Sequence, residues 1–247
     1  MDFRNKNIVI TGGSTGIGLA CAEAFIAAGA KVWITGRNSA NLHLAASSIN
    51  SINLKTLVSD TSNLAGIADL EKAIAESGIK IDVLLLNAGM GLFGPIATVT
   101  EADFDIQFNT NVKGSFFTLQ QLMPHLANGS SVLFTSSTAA SAAIVESSVY
   151  AATKAAINKI AAIAANELAP RKIRVNIISP GPIATAGFES TVASEAKAQL
   201  AAGIALQRMG KPEEIAKTVL FLSSDDAAFI SGTELLVDGG FINYALK

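Results

Sequence analysis

Tyr150 and Lys154 are the residues of this chain whose types and spacing are best suited to chemistry. At this spacing a phenol and an ammonium lie on one face of a helix. A free tyrosine has a pKa of roughly 10, and a lysine cation held about 4–6 Å away lowers that pKa by favouring the phenolate. The pair is therefore predicted to be an acid/base near working pH, and Ser137 to hydrogen-bond the oxygen of a reacting carbonyl or alcohol.

Ser136 is an alternative to Ser137 because the two serines are adjacent. Side chains alternate along a strand, so only one of them faces the cleft. A surface pair of Tyr and Lys would show the same spacing, so this interpretation depends on an independent signal elsewhere in the chain.

That signal is the glycine-rich run 11–18, which follows the first predicted strand and opens the first predicted helix. Glycines let the backbone turn tightly and approach a pyrophosphate, and a helix N-terminus offers N–H groups and the positive end of its dipole. The placement predicts nucleotide binding, with contacts from Gly12, Ser14, Thr15, Ile17 and Gly18.

The end of the second predicted strand indicates which dinucleotide binds. NAD sites usually carry Asp or Glu about 20 residues past the glycines, bonding the ribose 2′-hydroxyl. Here the sequence is Thr35-Gly36-Arg37-Asn38. Gly36 leaves space and Arg37 is suited to pair with a 2′-phosphate. We therefore expect NADPH, with NADH as the alternative if Arg37 is only a solvated loop residue.

Composition excludes several kinds of partner and site. The formal net charge is −2, so neither nucleic acid nor an anionic membrane is an expected partner. One cysteine, Cys21, and two separated histidines, His43 and His125, predict no metal site. The chain shows neither a long apolar span nor a signal-peptide pattern, so a cytoplasmic location is expected. The charged share of 15% is low for a small soluble monomer, which indicates apolar surface buried between subunits.

Short apolar runs alternate with helical patterns from end to end. Most are continuously apolar, as in a parallel sheet covered on both faces. The pattern predicts a single domain, 1–247, with a doubly wound α/β (Rossmann) fold. The predicted strands are 8–11, 31–35, 54–59, 83–87, 131–136, 174–179 and 234–237, and the predicted helices are 16–28, 39–50, 63–77, 101–127, 148–169 and 212–223.

Several irregular segments follow predicted strands, at the edge where such sheets bind ligands. They are Asp60, Asn87-Ala88-Gly89 and the run that starts at Pro180-Gly181. Ordinary turn chemistry also explains any one of them. The segment 183–208 is predicted to be an insertion that covers the substrate. Helices 101–127 and 148–169 carry little charge, which indicates packing between subunits.

Taken together, these residues resemble the motifs of the short-chain dehydrogenase/reductase family over essentially the whole chain. The glycine-rich run resembles that family's TGxxxGxG, and Asn111 resembles its helix asparagine. The other matching motifs are NAG (Asn87–Gly89), the active-site set (Ser137, Tyr150 and Lys154), the PG turn (Pro180-Gly181) and the C-terminal DGG (Asp238-Gly239-Gly240).

The resemblance implies a seven-stranded parallel sheet with helices on both faces, and usually a homotetramer. It implies that Tyr150 is the general acid of carbonyl reduction, that Lys154 bonds the nicotinamide ribose, and that Asn111 holds a water in a proton relay. Ser137 would polarise the substrate oxygen. The implied cofactor contacts also include Asp60, Thr61, Asn87, Ala88, Gly89, Tyr150, Lys154, Pro180, Gly181, Ile183 and Thr185.

The activity so implied is the reversible, NADPH-dependent reduction of a small or medium ketone or ketoester to a secondary alcohol. The expected substrate contacts are Ser137, Tyr150, Phe93 and Phe188, with Ile144, Val145 and Leu206 as further apolar candidates.

Three alternatives remain. The chain is similar to 3-oxoacyl-carrier-protein reductases, which carry a basic stretch before the fifth strand where this chain has none over 125–131. Docking of an acidic carrier protein is thereby weakened, although Arg171 and Lys172 remain. An NADH-dependent alcohol dehydrogenase is the second alternative. The third is a nucleotide-sensing binder, against which the intact active-site set argues.

Overall fold

Seven parallel strands form one sheet in the order β3-β2-β1-β4-β5-β6-β7. The computed structural model describes residues 1–243, and for 189–191 the backbone alone. This arrangement confirms the predicted doubly wound sheet. The strands are β1 (Asn7–Ile10), β2 (Lys31–Gly36), β3 (Leu54–Val58), β4 (Ile81–Leu86), β5 (Leu126–Thr135), β6 (Arg174–Pro180) and β7 (Glu234–Val237).

Helices cover both faces of the sheet. They are α1 (Gly16–Ala27), α2 (Ser39–Ile49), α3 (Leu64–Ser77), α4 (Glu101–Gln107), α5 (Gly114–Leu122), α6 (Ser148–Glu167), α7 (Ala186–Thr191), α8 (Ser194–Ala202) and α9 (Pro212–Ser223). The predicted insertion 183–208 therefore contains two helices, α7 and α8.

Two apolar cores lie on opposite faces of the sheet, and alternate strand residues supply them. On β1, Ile8 and Ile10 belong to the core that α1, α2 and α9 cover, whereas Val9 belongs to the core under α3, α5 and α6. This period of two explains how a continuously apolar strand is buried on both sides.

The sheet reverses its winding direction between β1 and β4, which are neighbours. Chain order runs one way from β1 to β3 and the other way from β4 to β7. In open α/β sheets a crevice forms at such a point, outside the carboxyl ends of the strands, and ligands bind there. The fold thus selects one edge of the sheet as the site.

The predicted single helix 101–127 is wrong. The chain instead forms α4, a π-helical turn over Phe108–Lys113, α5 and a 3₁₀ turn over Met123–His125. Pro124 ends the regular helix because its ring is incompatible with a continued α-helix. β5 then begins earlier than predicted, with Leu126 paired to Ile81 and a register shift before Ser131 pairs with Val83.

Candidate active site

A cavity of about 600 Å³ lies at the carboxyl edge of the sheet, across the β1/β4 reversal. It brings together almost every residue that the sequence singled out. The predicted residues that line it are Gly12, Ser14, Thr15, Ile17, Arg37, Asp60, Thr61, Asn87, Ala88, Gly89, Phe93, Ser137, Tyr150, Lys154, Pro180, Gly181, Ile183 and Thr185. We call the part of the cavity at residues 11–18 and 35–37 the glycine-rich end, and the part at Ser137, Tyr150 and Lys154 the catalytic end.

The glycine-rich end depends on backbone conformations and close contacts that other residues cannot adopt. Gly12 has φ +63°, in the left-handed region that favours glycine. A Cβ at Gly18 would lie 2.2 Å from the Gly12 carbonyl oxygen. The start of α1 therefore packs directly on the turn, with its first N–H groups at the cavity.

Asn87 and Thr11 fix this turn to the end of β4. The Asn87 side-chain amide donates to the carbonyls of Thr11 and Gly12 at 3.2 and 3.0 Å. The Thr11 hydroxyl accepts from the backbone N–H groups of Asn87 and Ala88 at 3.0 and 3.1 Å. The Asn87 side chain thus shapes the cavity by holding the turn in place.

Arg37 follows β2 and is exposed at the cavity. Its guanidinium makes no hydrogen bond or ion pair with any residue in the part of the chain that the structure describes. The neighbouring Gly36 packs closely against Ser14, since a Cβ there would lie 2.9 Å from the Ser14 Oγ. Asp60, further along the wall, accepts a hydrogen bond from the Ser62 N–H at 3.0 Å.

The far wall comes from the segment after β6. The Gly181 N–H donates to the Val237 carbonyl at 3.1 Å. Ile183 pairs with Gly210 in an isolated β-bridge. Thr185 caps α7 by accepting from the Phe188 N–H at 3.3 Å. The insertion is therefore anchored where it leaves the sheet.

The two adjacent serines after β5 have different environments. Ser136 is buried, and its hydroxyl lies 3.4 Å from the Lys154 backbone carbonyl. Ser137 is half-buried at the cavity and its hydroxyl hydrogen-bonds with Tyr150. Ser137 is thus the serine in a position to meet a substrate oxygen beside the phenol.

Lys154 reaches the catalytic end from the first turns of α6. Its side chain is buried, and its Nζ donates to the Thr135 carbonyl at 2.9 Å. Nζ lies 5.6 Å from the centroid of the Tyr150 ring. Burial lowers the pKa of Lys154 to about 8, because a buried site disfavours the ammonium form.

The pKa of Tyr150 is raised, whereas the sequence predicted that it would be lowered. Burial of the phenol is the larger cause, and the hydrogen bond with Ser137 acts in the opposite direction. Desolvation disfavours phenolate more than the surrounding groups stabilise it. Tyr150 is therefore held as the protonated phenol near neutrality, which is the form that donates a proton.

Asn111 lies in the π-helical turn between α4 and α5, and π-turns of this kind are frequent at functional sites. Its amide group donates to the Met90 carbonyl at 2.8 Å and to the Thr153 hydroxyl at 2.9 Å. Its oxygen accepts from the Met90 N–H at 2.8 Å. A Cβ on Gly89 would lie 3.3 Å from this oxygen and 3.2 Å from Lys154 Nζ. Asn111 is therefore close to Lys154, and its oxygen, which accepts one hydrogen bond, keeps a second acceptor position. Asn111 is buried and is not among the residues that line the cavity.

The sequence interpretation missed two threonine hydroxyls in the cavity wall. Thr35 and Thr110 are buried, and their Oγ1 atoms have no partner among the described residues. Both residues line the cavity. Thr110 directly precedes Asn111 in the sequence, and this position next to a predicted site residue could have identified it.

Fewer of the predicted apolar residues line the cavity beside Tyr150 than the sequence indicated. Phe93 packs edge-on against Tyr150, with ring centroids 5.4 Å apart. On α7 the residue that lines the cavity is Gly187, not Phe188, which remains a predicted substrate contact. The other apolar candidates, Ile144, Val145 and Leu206, lie at the surface and outside the cavity wall.

The cavity fits a dinucleotide such as NADP. The glycine-rich turn leaves no room for a Cβ at Gly18 yet opens onto the cavity, and the N-terminus of α1 adjoins it. Thr35 and Thr110 add polar side chains to the cavity wall, although their hydroxyl oxygens are themselves enclosed by protein. The unpaired guanidinium of Arg37 suits an anionic group.

The side chains described in 1–188 and 192–243 include no cluster of His, Cys, Asp and Glu suited to a metal ion. His125 instead contacts Glu71, with 2.7 Å between Nε2 and Oε1. Over the same residues, none of the helices combines the length and apolar character needed to cross a bilayer.

Comparison with known proteins assigns the family. A family model described as enoyl-(acyl carrier protein) reductase matches residues 12–242. The oxidoreductase asL5 of Sarocladium schorii is 37% identical over 237 residues, which cover 95% of each chain. The 3-oxoacyl-[acyl-carrier-protein] reductase FabG of Thermotoga maritima is 33% identical, with 98% of this chain and 100% of the relative covered.

Comparison with solved structures supports the same family assignment. The RhlG/NADP active-site complex of Pseudomonas aeruginosa superposes with a TM-score of 0.93 at 28% identity, covering 97% of each chain. Structures described as short-chain dehydrogenases/reductases match as well. The chain therefore belongs to the short-chain dehydrogenase/reductase family of oxidoreductases, which act on carbonyl and CH–OH groups.

Proposed function

We propose that this protein is an NADPH-dependent ketoreductase that reversibly reduces a small or medium ketone or ketoester to a secondary alcohol. The observation that carries the proposal is the catalytic end of the cavity. There a protonated phenol, Tyr150, hydrogen-bonds with Ser137 at the surface of the cavity, and Lys154 lies behind it. A binding module has no need of a buried proton donor.

Each residue of the catalytic end has a separate role in this proposal. NADPH, when bound, supplies the hydride. Tyr150 donates its proton to the substrate oxygen in reduction and accepts it in oxidation. The Ser137 hydroxyl hydrogen-bonds the same oxygen and orients the carbonyl. Lys154 bonds the nicotinamide ribose and stabilises the deprotonated phenol, and Asn111 holds the water through which the proton is replaced.

The remaining predicted residues hold the cofactor. The residues that would hold the pyrophosphate at the N-terminus of α1 are Gly12, Ser14, Thr15, Ile17 and Gly18. The other contacts come from Asp60, Thr61, Asn87, Ala88, Gly89, Pro180, Gly181, Ile183 and Thr185.

The preference for NADPH over NADH rests on Arg37. Its guanidinium is exposed at the cavity with no partner in residues 1–243, and no carboxylate stands beside it to bond a 2′-hydroxyl. A charge-assisted fork to a 2′-phosphate would satisfy it. The structurally similar RhlG complex contains NADP, which supports the same preference.

Carrier-protein thioesters are the second candidate substrate, since a 33% identical relative is a 3-oxoacyl-carrier-protein reductase. The basic residues available for docking do not favour it. Arg171 and Lys172 precede β6, at the edge of the sheet opposite the cavity. The Arg171 guanidinium is also engaged with the carbonyls of Met123 and Leu126.

A homotetramer is also proposed. Phe104 on α4, Phe116 on α5 and Ile163 on α6 are all exposed apolar side chains on the helices that carry little charge. Sedimentation equilibrium would test this, with a mass of four chains expected and a monomer contradicting it.

A cofactor-by-substrate screen tests the function. The purified protein is mixed with NADPH or NADH and a panel of ketones, ketoesters and one acyl-carrier thioester, and nicotinamide absorbance is followed. Oxidation of NADPH by free ketones is expected. Turnover of the thioester alone would favour the carrier-protein reductase, preference for NADH would favour an alcohol dehydrogenase, and no turnover with tight nucleotide binding would favour the sensing binder.

A further inference from the structure

Gln107 is a buried polar side chain that none of the proposed catalytic or cofactor roles uses. It ends α4 and is 1% exposed. Both of its amide atoms are bonded, since Oε1 accepts from the Leu92 N–H at 3.0 Å and Nε2 donates to the Asp103 carbonyl at 3.1 Å. Burying an amide is costly unless its hydrogen bonds are made, so these two bonds define what the residue does.

Gln107 and Asn111 together hold the segment that follows β4. The Asn111 amide bonds both the N–H and the carbonyl of Met90. Gln107 accepts from the N–H of Leu92, two residues after Met90. Gly94, on the other side of Phe93, donates to the Glu146 carbonyl at 2.8 Å. Phe93 is therefore held between two fixed backbone positions.

This anchoring decides where the Phe93 ring lies. The ring packs edge-on against Tyr150 yet is 65% exposed, toward the cavity. Gly91 makes the contact possible, because a Cβ there would lie 2.9 Å from Phe93 Cζ and 3.1 Å from Tyr150 Cδ2. An exposed aromatic ring beside the proton donor is suited to stack with a second aromatic ring.

We propose that Gln107 is a positioning residue that gives the enzyme a preference for aryl ketones, by holding Leu92 and therefore Phe93 as an aromatic wall beside Tyr150. The proposal rests on the ketoreductase function proposed above. It names the substrate class and the residue that sets it, without giving Gln107 any contact with substrate.

The test compares Gln107→Met with Gln120→Met, the same substitution at an exposed position of α5. Steady-state kinetics are measured with NADPH on acetophenone and on 2-butanone. For Gln107→Met we expect KM for acetophenone to rise roughly two- to tenfold, which corresponds to losing the interaction free energy of one aromatic contact. Both kcat values and KM for 2-butanone should stay within about twofold of wild type. Equal KM changes on both ketones, or none relative to Gln120→Met, would overturn the proposal.

Rescue distinguishes positioning from general loss of packing. In Gln107→Glu, burial keeps the introduced carboxyl protonated near neutrality. A neutral carboxyl both accepts from the Leu92 N–H and donates to the Asp103 carbonyl, so KM for acetophenone should return toward wild type. A variant as impaired as Gln107→Met would contradict the assignment.

Two further measurements keep the proposal testable. If Gln107→Met does not fold, Phe93→Leu removes the aromatic ring itself and should raise KM for acetophenone while leaving KM for 2-butanone within about twofold of wild type. Equal KM changes on both ketones would contradict the aromatic wall. If wild type reduces no ketone, the proposed function fails, but the positioning claim is still tested by a crystal structure of Gln107→Met. That structure should show the Phe93 and Tyr150 rings further apart than 5.4 Å, and an unchanged separation would refute it.

Discussion

The two ends of the cavity differ in how completely the protein satisfies its own polar groups. At the catalytic end, Ser137 and Tyr150 bond each other, Lys154 bonds a backbone carbonyl and Asn111 donates through its amide to two partners. At the glycine-rich end, the Arg37 guanidinium and the Thr35 hydroxyl have no partner in residues 1–243.

The difference indicates that the catalytic groups are ordered before a ligand binds, whereas the group at the other end is left to pair with the ligand. Preorganised donors do not have to reorganise when charge develops on a substrate, which is where catalytic electrostatics gains most. At the other end the exposed Arg37 guanidinium is free to pair with an anionic group of a ligand, so it is expected to contribute to affinity. Substitutions at the catalytic end should therefore change turnover, and substitutions at the glycine-rich end should change cofactor affinity.

The two serines give the sharpest contrast within the catalytic end. Ser137→Ala removes the hydroxyl that meets the substrate oxygen, and kcat/KM should fall roughly 10²-fold, as for loss of one oxyanion donor. Ser136 also lines the cavity, but its hydroxyl is directed to the Lys154 backbone carbonyl, so Ser136→Ala should lower kcat/KM by less than about threefold. Steady-state kinetics with NADPH decide between the two serines. An equal or larger loss of kcat/KM in Ser136→Ala would assign the substrate contact to Ser136.

Lys154 should make folding stability depend on pH. Its pKa in the folded protein is about 8, below the ordinary 10.5. Below pH 8 the lysine is protonated in both states and the folded protein bears the cost of a buried cation. Between the two values only the unfolded chain keeps the proton, so the free energy of unfolding rises with pH.

Urea unfolding of wild type and Lys154→Met at pH 7 and pH 10 measures this effect. The stability of wild type relative to the variant should increase by about 3 kcal/mol at the higher pH. A difference that does not change with pH would show that the lysine is not desolvated as the structure indicates.

At the glycine-rich end, Arg37→Leu should weaken NADPH binding while leaving NADH binding unchanged. Loss of a charge-assisted fork to the 2′-phosphate is expected to raise the Kd for NADPH roughly ten- to hundredfold. Fluorescence titration with both cofactors provides the internal control. Parallel weakening of NADPH and NADH would contradict the role of Arg37 in selecting the phosphate.

Thr110 gives the smallest expected effect. Thr110→Val replaces a buried, unpartnered hydroxyl of a residue that lines the cavity, and we expect the Kd for NADPH to rise at most roughly two- to tenfold, the upper limit set by one neutral hydrogen bond. Thr118→Val is the matched control, because the Thr118 hydroxyl is also buried and unpartnered but lies outside the cavity. Equal changes in the two variants would remove Thr110 from the binding site.

The sheet and most of the cavity wall were predictable because local patterns encode them. Continuous apolar runs located every strand to within a few residues, except the early start of β5. The glycine-rich run, Asn87–Gly89 and Pro180-Gly181 all follow strands, and parallel strands bring their carboxyl ends to one edge.

What the sequence did not reveal depends on contacts between distant residues. The π-helical turn at Asn111 contacts α6 through the bond to Thr153, and no local sequence signal predicted it. The bond from Gln107 to Leu92 spans fifteen residues. The direction of the Tyr150 pKa shift required knowing how far the phenol is buried, which composition and spacing do not give.

The central claim is that the Tyr150 hydroxyl performs the chemistry in a cavity that still binds NADPH when this hydroxyl is removed. Tyr150→Phe, measured for NADPH affinity and for ketone turnover in the same preparation, tests it most directly. We expect an unchanged Kd for NADPH and a kcat reduced roughly 10²–10⁴-fold, the contribution of a positioned general acid. Turnover close to wild type in this variant would contradict the claim.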